Sequence, residues 1–273
     1  MWYYQSTKDD SEVESKLKEI AEIMPMNGFW KYYDRIRADG KVWNHKRVRR
    51  VYCKMKMNIR RKHKHRVPTR VVEPLYQPEA PNIIWSMDFM HDTLESGRRF
   101  RLFNVIDDYN REALAVDVST SFPGENVVRS LDRVKAERGT PEALRCDNGP
   151  ENLSEAVVNW CKRNNVRIIY IQPGKPVQNS YIERFNGSLR KELLDAYIFT
   201  DLTQVRILAE RWFDIYNNYR PHDSLNGESP IPYRLRRASA LEGEASSPTR
   251  TEVNSNYEKS YFWLVRKRGS LQI

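Results

Sequence analysis

The order of apolar runs between residues 83 and 193 constrains the fold of this chain more than any other feature. Three short runs, at 83–94, 100–107 and 112–119, are separated by turn residues and predict an antiparallel three-strand meander. The segments that follow are read as a helix, a strand, a helix, a strand and a last helix from Ser180. Strands that alternate with helices after a meander predict a mixed sheet covered on both faces.

This order of elements is the one that an α/β ribonuclease H-like fold requires, with a mixed five-strand sheet flanked by helices. At 273 residues the chain is long enough for such a core and a smaller domain. A proline-rich stretch without helical period predicts an extended linker, and a stretch rich in Ser, Glu, Thr and Asn predicts disorder near the end. We therefore expect an all-α helix-turn-helix region, a linker, a catalytic core with C-terminal helices, and a disordered tail, over residues 1–66, 67–82, 83–238 and 239–273 respectively.

A local basic patch predicts a polyanionic partner. Residues 41–70 contain 13 Lys and Arg and no Asp or Glu, whereas the net charge of the whole chain is +10. Two helical segments precede this patch, and a third helix follows Asn44, the predicted N-cap. Short helices with a basic last member predict a helix-turn-helix unit that meets DNA through the third helix. The side chains expected to face the DNA are Lys46, Arg47, Arg49 and Arg50. A solvated linker, or a small helical bundle with a charged face, is the alternative interpretation.

The cysteines and the hydropathy pattern predict a soluble protein of a reducing cytosol that is not exported. The three cysteines include no CxxC pair, which argues against a disulfide framework or a zinc knuckle and favours a reducing compartment. No stretch approaches the ~18 consecutive apolar residues of a membrane span. We expect cytoplasmic localisation and no membrane partner; the family resemblance described below further implies a bacterial, nucleoid-associated protein.

Three carboxylates lie near the ends of predicted core elements. Asp88 lies in the first strand, Asp147 follows the fourth strand, and Glu183 lies beside the apolar stripe of the last helix. Each acid alone would more often be an N-cap, a turn residue or a surface charge, so the prediction depends on their joint placement. Oxygen ligands suit Mg²⁺ and Mn²⁺, and two such ions ~3.5–4 Å apart serve phosphoryl transfer. We predict a catalytic site for two Mg²⁺ ions, with Mn²⁺ as a possible substitute.

The residues around these acids resemble a known family. WSMDF, RCDNGPE, SYIERFNGSLRKEL and YNNYRPHDSLNGESP resemble the catalytic frame of bacterial insertion-sequence transposases, which are relatives of retroviral integrases with a DDE triad. GFWKYYDRIRADGKVWNHKRVRRVYCKM resembles the helix-turn-helix that precedes this core, so the resemblance covers roughly residues 12–235. It implies that Asp88, Asp147 and Glu183 are the triad. It also implies DNA contacts by further residues on and before the last core helix: Arg190, Lys191, Lys175 and Gln178.

The resemblance implies a DNA transposase, a polynucleotidyl transferase that cleaves the 3′ ends of an element and joins them to DNA by in-line phosphoryl transfer. It further implies a circular intermediate, double-stranded DNA as element end and target, and homo-oligomers on DNA. The chain would be the downstream product of a two-frame element, acting with an upstream-frame product. Two other functions stay open: a catalytically inactive DNA-binding regulator or remnant, and a ribonuclease H-like nuclease that cuts without joining.

Overall fold

The computed structural model describes residues 9–59, 75–147, 149, 154–171 and 176–241. The chain divides into two compact units, one with Met1–Arg61 and Tyr219–Ile273, the other with Lys62–Asn218. No helix in the described part of the chain is long and apolar enough to cross a bilayer. The predicted linker up to residue 74, and the predicted tail from residue 242, lie outside the described residues.

Three N-terminal helices form the first part of the helical unit: α1 (Ser11–Ile23), α2 (Phe29–Ala38) and α3 (His45–Lys54). These helices confirm the helical N-terminal region that the sequence predicts. Asn44 caps α3 by accepting a hydrogen bond from the backbone N–H of Lys46 at 2.8 Å. The apolar side of α3 is buried through Val48, Val51 and Tyr52, so that its basic side remains available to solvent.

Residues from Tyr219 onward belong to the helical unit by their contacts. The guanidinium of Arg35 lies 3.8 Å from the centroid of the Tyr219 ring, and Lys31 pairs with Asp223 at 2.8 Å. The chain then ends its described part in a further helix, Pro230–Leu241. The predicted core extends to residue 238 and so includes this region. A contact between residues 192 positions apart leaves no local pattern from which the sequence could indicate it. The predicted domain boundaries stay a prediction.

The second unit contains one mixed five-strand sheet in the order β3-β2-β1-β4-β5. β1, β2 and β3 form an antiparallel meander, and β4 and β5 run parallel to β1. This topology confirms the predicted ribonuclease H-like sheet, and the ends of the meander strands differ from the predicted ends by one residue at most. The strands are β1 (Ile84–Thr93), β2 (Arg99–Asp107), β3 (Ala113–Ser119), β4 (Ala143–Cys146) and β5 (Arg167–Tyr170).

Helices cover both faces of this sheet: α4 (Gly124–Arg138) and α5 (Glu155–Arg163) on one face, α6 (Ser180–Glu192) and α7 (Leu202–Asn218) on the other. Successive side chains of a strand point to opposite faces. Trp85 and Met87 of β1 therefore enter the core beneath α4 and α5, whereas Met90 enters the core beneath α6 and α7. Asp88 shares the face of Met90.

Gly124 permits the close approach of α4 and α5, which gives a first prediction. A Cβ atom at residue 124 would lie 2.5 Å from Oγ of Ser154 and 3.1 Å from Cβ of Ala156. We expect Gly124→Ala to lower the free energy of unfolding by about 1–3 kcal/mol, because the neighbours must move apart. Urea denaturation followed by circular dichroism measures this loss.

Gly187 on α6 provides the matched control, because an added Cβ there meets nothing within 4 Å. Gly187→Ala should raise the free energy of unfolding by ~0.5–1 kcal/mol, since alanine favours helix. Equal effects of the two substitutions would contradict the packing explanation.

Candidate active site

Asp88 and Asp147 belong to neighbouring parts of the sheet. β1 and β4 pair in parallel with Ser86 opposite Arg145. Asp88 lies two residues further along β1, and Asp147 directly follows the end of β4. Leu144 and Cys146 of β4 enter the core beneath α4 and α5. Because side chains alternate along a strand, Asp88 and Asp147 both belong to the opposite face, which α6 covers.

Glu183 reaches the same rim from α6. This helix buries Ile182, Phe185 and Leu189 against the sheet. Glu183 lies in the first turn of α6, next to the buried Ile182, and its side chain is exposed. The amphipathic pattern of α6 thus fixes which side of the helix packs, and it leaves Glu183 at the edge of the packed side.

The pKa of Asp88 depends on the other two acids. Burial first, and then the negative charges of Asp147 and Glu183, raise the pKa of the Asp88 carboxyl against two opposing hydrogen bonds, to about 6. One of these bonds comes from the backbone N–H of Phe89 at 2.8 Å. The structure therefore brings the three predicted acids into one electrostatic group.

The acids do not form a closed metal site as they stand. Across the described ranges, no three His, Cys, Asp or Glu side chains are close enough to share one metal ion. Asp147 and Glu183 are exposed, and Oδ1 of Asp147 accepts a hydrogen bond from the N–H of Gly149 at 2.9 Å. Like charges repel each other unless a cation lies between them. The donor set of three carboxylates is nevertheless of the type that Mg²⁺ and Mn²⁺ prefer.

Two amides that the sequence analysis did not identify hold Asp88. Nδ2 of Asn186 donates to Oδ2 of Asp88 at 2.7 Å, and Nδ2 of Asn104 donates to Oδ1 of Asn186 at 2.8 Å. Asn104 is fully buried and lies opposite Asp88 on β2. The chain of amides fixes the Asp88 side chain against α6. A signal existed in the sequence, because Asn186 lies three residues after Glu183 and so shares its side of the helix.

A buried ion pair lies beside the acids. Arg145, which faces the same side of the sheet as Asp147, pairs with Asp108, and both side chains are almost fully buried. Burial raises the pKa of Asp108, and the charge of Arg145 opposes this rise. Removing either partner would leave a buried charge without its counter-ion, which is costly. Asp108 is therefore engaged in the structure rather than available to a cation.

The predicted DNA contacts near α6 lie at different places. Arg190 pairs with Asp92 at 3.3 Å and donates to the carbonyl oxygen of His91 at 2.9 Å, which ties α6 to the end of β1. Lys191 is exposed, and Gln178 lies in the short 3₁₀ helix before α6. Lys175 lies outside the described residues. Their contacts with DNA stay predictions.

The four basic residues of α3 fall into two pairs. Lys46 and Arg49 are exposed. Arg47 and Arg50 instead form ion pairs with Asp10, at 3.1 and 2.8 Å, and so fasten α3 to the start of α1. DNA binding by all four residues stays a prediction, with Lys46 and Arg49 the more accessible pair.

The chain is similar to proteins of insertion elements and to integrase cores. Two models described as "Integrase core domain" match residues 78–176 and 164–230. The insertion element IS407 uncharacterized 31.7 kDa protein of Burkholderia multivorans is 36% identical over 89% of this chain and 89% of its own length. The transposase InsD for insertion element IS2D of Escherichia coli is 24% identical over 84% of this chain and 80% of its own.

A solved structure shows the same fold. A chain of the simian T-cell lymphotropic virus intasome, in complex with PP2A regulatory subunit B56 gamma, superimposes with a TM-score of 0.52. The sequences are 18% identical, and the match covers 62% of this chain and 60% of that one. The likeness concerns the fold of the core.

The raised pKa of Asp88 predicts a stability that depends on pH. The fold disfavours the charged carboxylate of Asp88, so ionisation of this group lowers the free energy of unfolding. This loss is absent below the unfolded pKa near 3.8, grows as pH rises, and is complete above about pH 6. Without divalent metal, Asp88→Asn should therefore raise the free energy of unfolding by about 1–3 kcal/mol above pH 6. Denaturation in EDTA between pH 4 and pH 7.5 measures the gain. An equal gain at both ends of this range would show that the charge of Asp88 is not its cause.

Proposed function

Because this chain belongs to the bacterial insertion-sequence transposases with an integrase-like core, we propose that Asp88, Asp147 and Glu183 make it a DDE-type polynucleotidyl transferase. The proposed reactions are cleavage of the 3′ ends of the element and transfer of those ends to DNA. The observation that carries the proposal is the parallel pairing of β1, which contains Asp88, with β4, whose last residue precedes Asp147. The electrostatic coupling of Asp88 to both other acids supports it.

The two proposed reactions are in-line substitutions at phosphorus. In the first, the oxygen of water bonds to phosphorus while the bond to the 3′ oxygen breaks, and the element strand keeps a 3′ hydroxyl. In the second, this hydroxyl loses its proton and bonds to the phosphorus of another phosphodiester, whose own 3′ oxygen leaves. No covalent bond to the protein forms, so the protein contributes alignment and charge.

The three carboxylates would hold two divalent cations, with Mg²⁺ as the expected ion and Mn²⁺ as a substitute. Bound there, such ions activate the attacking oxygen and stabilise the leaving one. Asp147 and Glu183 are exposed, whereas Asn186 holds Asp88 in place. We infer that the two exposed carboxylates close on Asp88 when cations neutralise the group.

The proposed partner is double-stranded DNA, as element end and as target. Lys46 and Arg49 on α3 would contact one part of it, and Arg190, Lys191, Lys175 and Gln178 would contact the terminal bases near the acids. We propose that the chain forms homo-oligomers on DNA and acts together with an upstream-frame product. We further propose that the reaction passes through a circular intermediate and takes place at the nucleoid in the bacterial cytoplasm.

Removal of one carboxylate should abolish both reactions. We expect Asp147→Ala to lower cleavage and strand transfer of labelled element ends by at least about 10²-fold in Mg²⁺, while binding of the same DNA persists. Glu142→Ala removes an exposed acid at the opposite end of β4 and should leave activity unchanged. Gel analysis of labelled ends separates cleaved from joined products.

The same assay separates the alternatives. DNA binding without any wild-type product would indicate an inactive regulator, and cleavage without joined product would indicate a nuclease. Activity that appears only when the upstream-frame product is fused to the chain would support the proposal with that partner as a requirement.

Asn186 should act as a positioning residue through Asp88. Asn186→Ala leaves the Asp88 side chain without its link to α6, so the Mg²⁺ concentration for half-maximal cleavage should rise by ~10–100-fold. Ser188→Ala on the same helix removes a hydroxyl that donates to the carbonyl oxygen of Arg184, not to Asp88, and serves as the control. If Asn186→Ala lowers the rate at saturating Mg²⁺ but leaves the half-maximal concentration unchanged, Asn186 does not position the ligand.

A further inference from the structure

A cleft of about 240 Å³ opens on the helical unit, where the start of α2 meets α3. Its walls include Phe29 and Trp30 of α2, Arg49 and Tyr52 of α3, and Asn58 after α3. The proposed phosphoryl transfer does not use it, and of its lining residues only Arg49 is among the proposed contacts of α3 with duplex DNA. Its volume is slightly below the ~300–1,000 Å³ of pockets for drug-sized ligands, so it suits a smaller ligand.

The cleft has an aromatic floor and an aromatic wall. The Phe29 ring packs edge-on against Tyr52 at 5.5 Å between centroids and against Trp30 at 5.2 Å. Tyr52 is 2% exposed and belongs to the core, so the floor is rigid. Trp30 is 55% exposed, which leaves the largest apolar side chain type in contact with water. Aromatic faces bind other flat rings by offset or edge-to-face stacking, so a flat ring is the ligand that these walls favour.

The charge around the cleft selects an anionic ligand. The guanidinium of Arg49 lies 5.6 Å from the centroid of the Phe29 ring, and Lys46 is exposed on the same helix. The described residues 41–59 include seven Lys and Arg and no acid, and two of these seven, Arg47 and Arg50, pair with Asp10. A second copy of this chain that presented its own α3 surface to the cleft would be repelled. A nucleotide has a flat base that can stack on the aromatic walls and a phosphate that can pair with the basic residues.

The nucleotide must be unpaired. Inside a duplex both faces of a base are stacked on its neighbours, so an aromatic wall can contact a face only at a strand end or after extrusion from the helix. The exposed amide of Asn58 carries a donor and an acceptor, which the edge of an unpaired base also offers. The cleft therefore combines stacking, a cation and an amide at one place.

We propose that this cleft binds one unpaired nucleobase of the DNA held by α3, at a frayed element end or extruded from the duplex. The choice of DNA as the polymer rests on the proposed function, whereas the choice of an unpaired base rests on the cleft itself. Base stacking on an aromatic side chain is sequence-tolerant, because every base has a π face. The cleft thus distinguishes unpaired bases from paired ones and does not distinguish one type of base from another.

The test compares two duplexes that differ by one unpaired adenine. Fluorescence anisotropy with the full chain, in EDTA so that no strand is cut, gives the dissociation constant of each. We expect the wild type to bind the bulged duplex about tenfold more tightly than its paired parent. Trp30→Ala should reduce this preference to less than about twofold and leave the affinity for the paired duplex unchanged. Trp30→Phe retains an aromatic face and should retain most of the preference.

Tyr197→Ala is the matched control, because Tyr197 is an exposed aromatic residue, 43% exposed, in the other unit. It should leave both affinities unchanged. A wild type without preference, while still binding the paired duplex, would overturn the cleft assignment and leave the proposed function standing. A Trp30→Ala protein that keeps the preference but changes its sedimentation would assign the cleft to contacts between copies and also overturn the proposal. Failure to bind either duplex would overturn DNA recognition by α3 together with it.

Discussion

The parallel pairing of β1 with β4 is the constraint on which the rest of the core depends. Ser86 and Arg145 lie opposite each other in this ladder, and the chain needs a helical crossover between the two strands to make them parallel. A shift of the register by one residue would turn Asp147 toward the core beneath α4 and α5. Burial of Leu144 and Cys146 on that side fixes the register. Apolar packing on one face thus determines where the acids lie on the other.

This arrangement includes one carboxylate, that of Asp88, whose charged form the fold disfavours. Burial and two like charges raise the pKa of Asp88 to about 6, and the amide chain through Asn186 to the buried Asn104 restrains the side chain in that position. A carboxylate that is fixed in place although its charge is disfavoured is typical of a site that a cation can stabilise. The buried pair of Arg145 and Asp108 is neutral overall, so it fills the space beside the acids without adding net charge to them.

The sequence predicted the parts of this structure that leave periodic or local signals. Strand alternation and helix spacing indicated the meander, the mixed sheet and the three N-terminal helices, and Asn44 was recognisable as a cap from its position. Asp88, Asp147 and Glu183 were candidates because of their places at the ends of elements. The roles of Asn104 and Asn186 were not predicted, since a contact across 82 positions depends on the packing of α6 on β2. The same reason applies to Asp10, which engages Arg47 and Arg50, and to the docking of Tyr219 on Arg35.

Proximity of the three carboxylates around common cations is the central claim. A crystal structure of the chain soaked in Mn²⁺, with anomalous data recorded at the manganese edge, tests it most directly. The account predicts one or two anomalous peaks with carboxylate oxygens of Asp88, Asp147 and Glu183 as ligands at ~2.0–2.3 Å. Peaks that lie elsewhere on the protein, or fully occupied manganese bound by Asp88 without either of the other two acids, would contradict it.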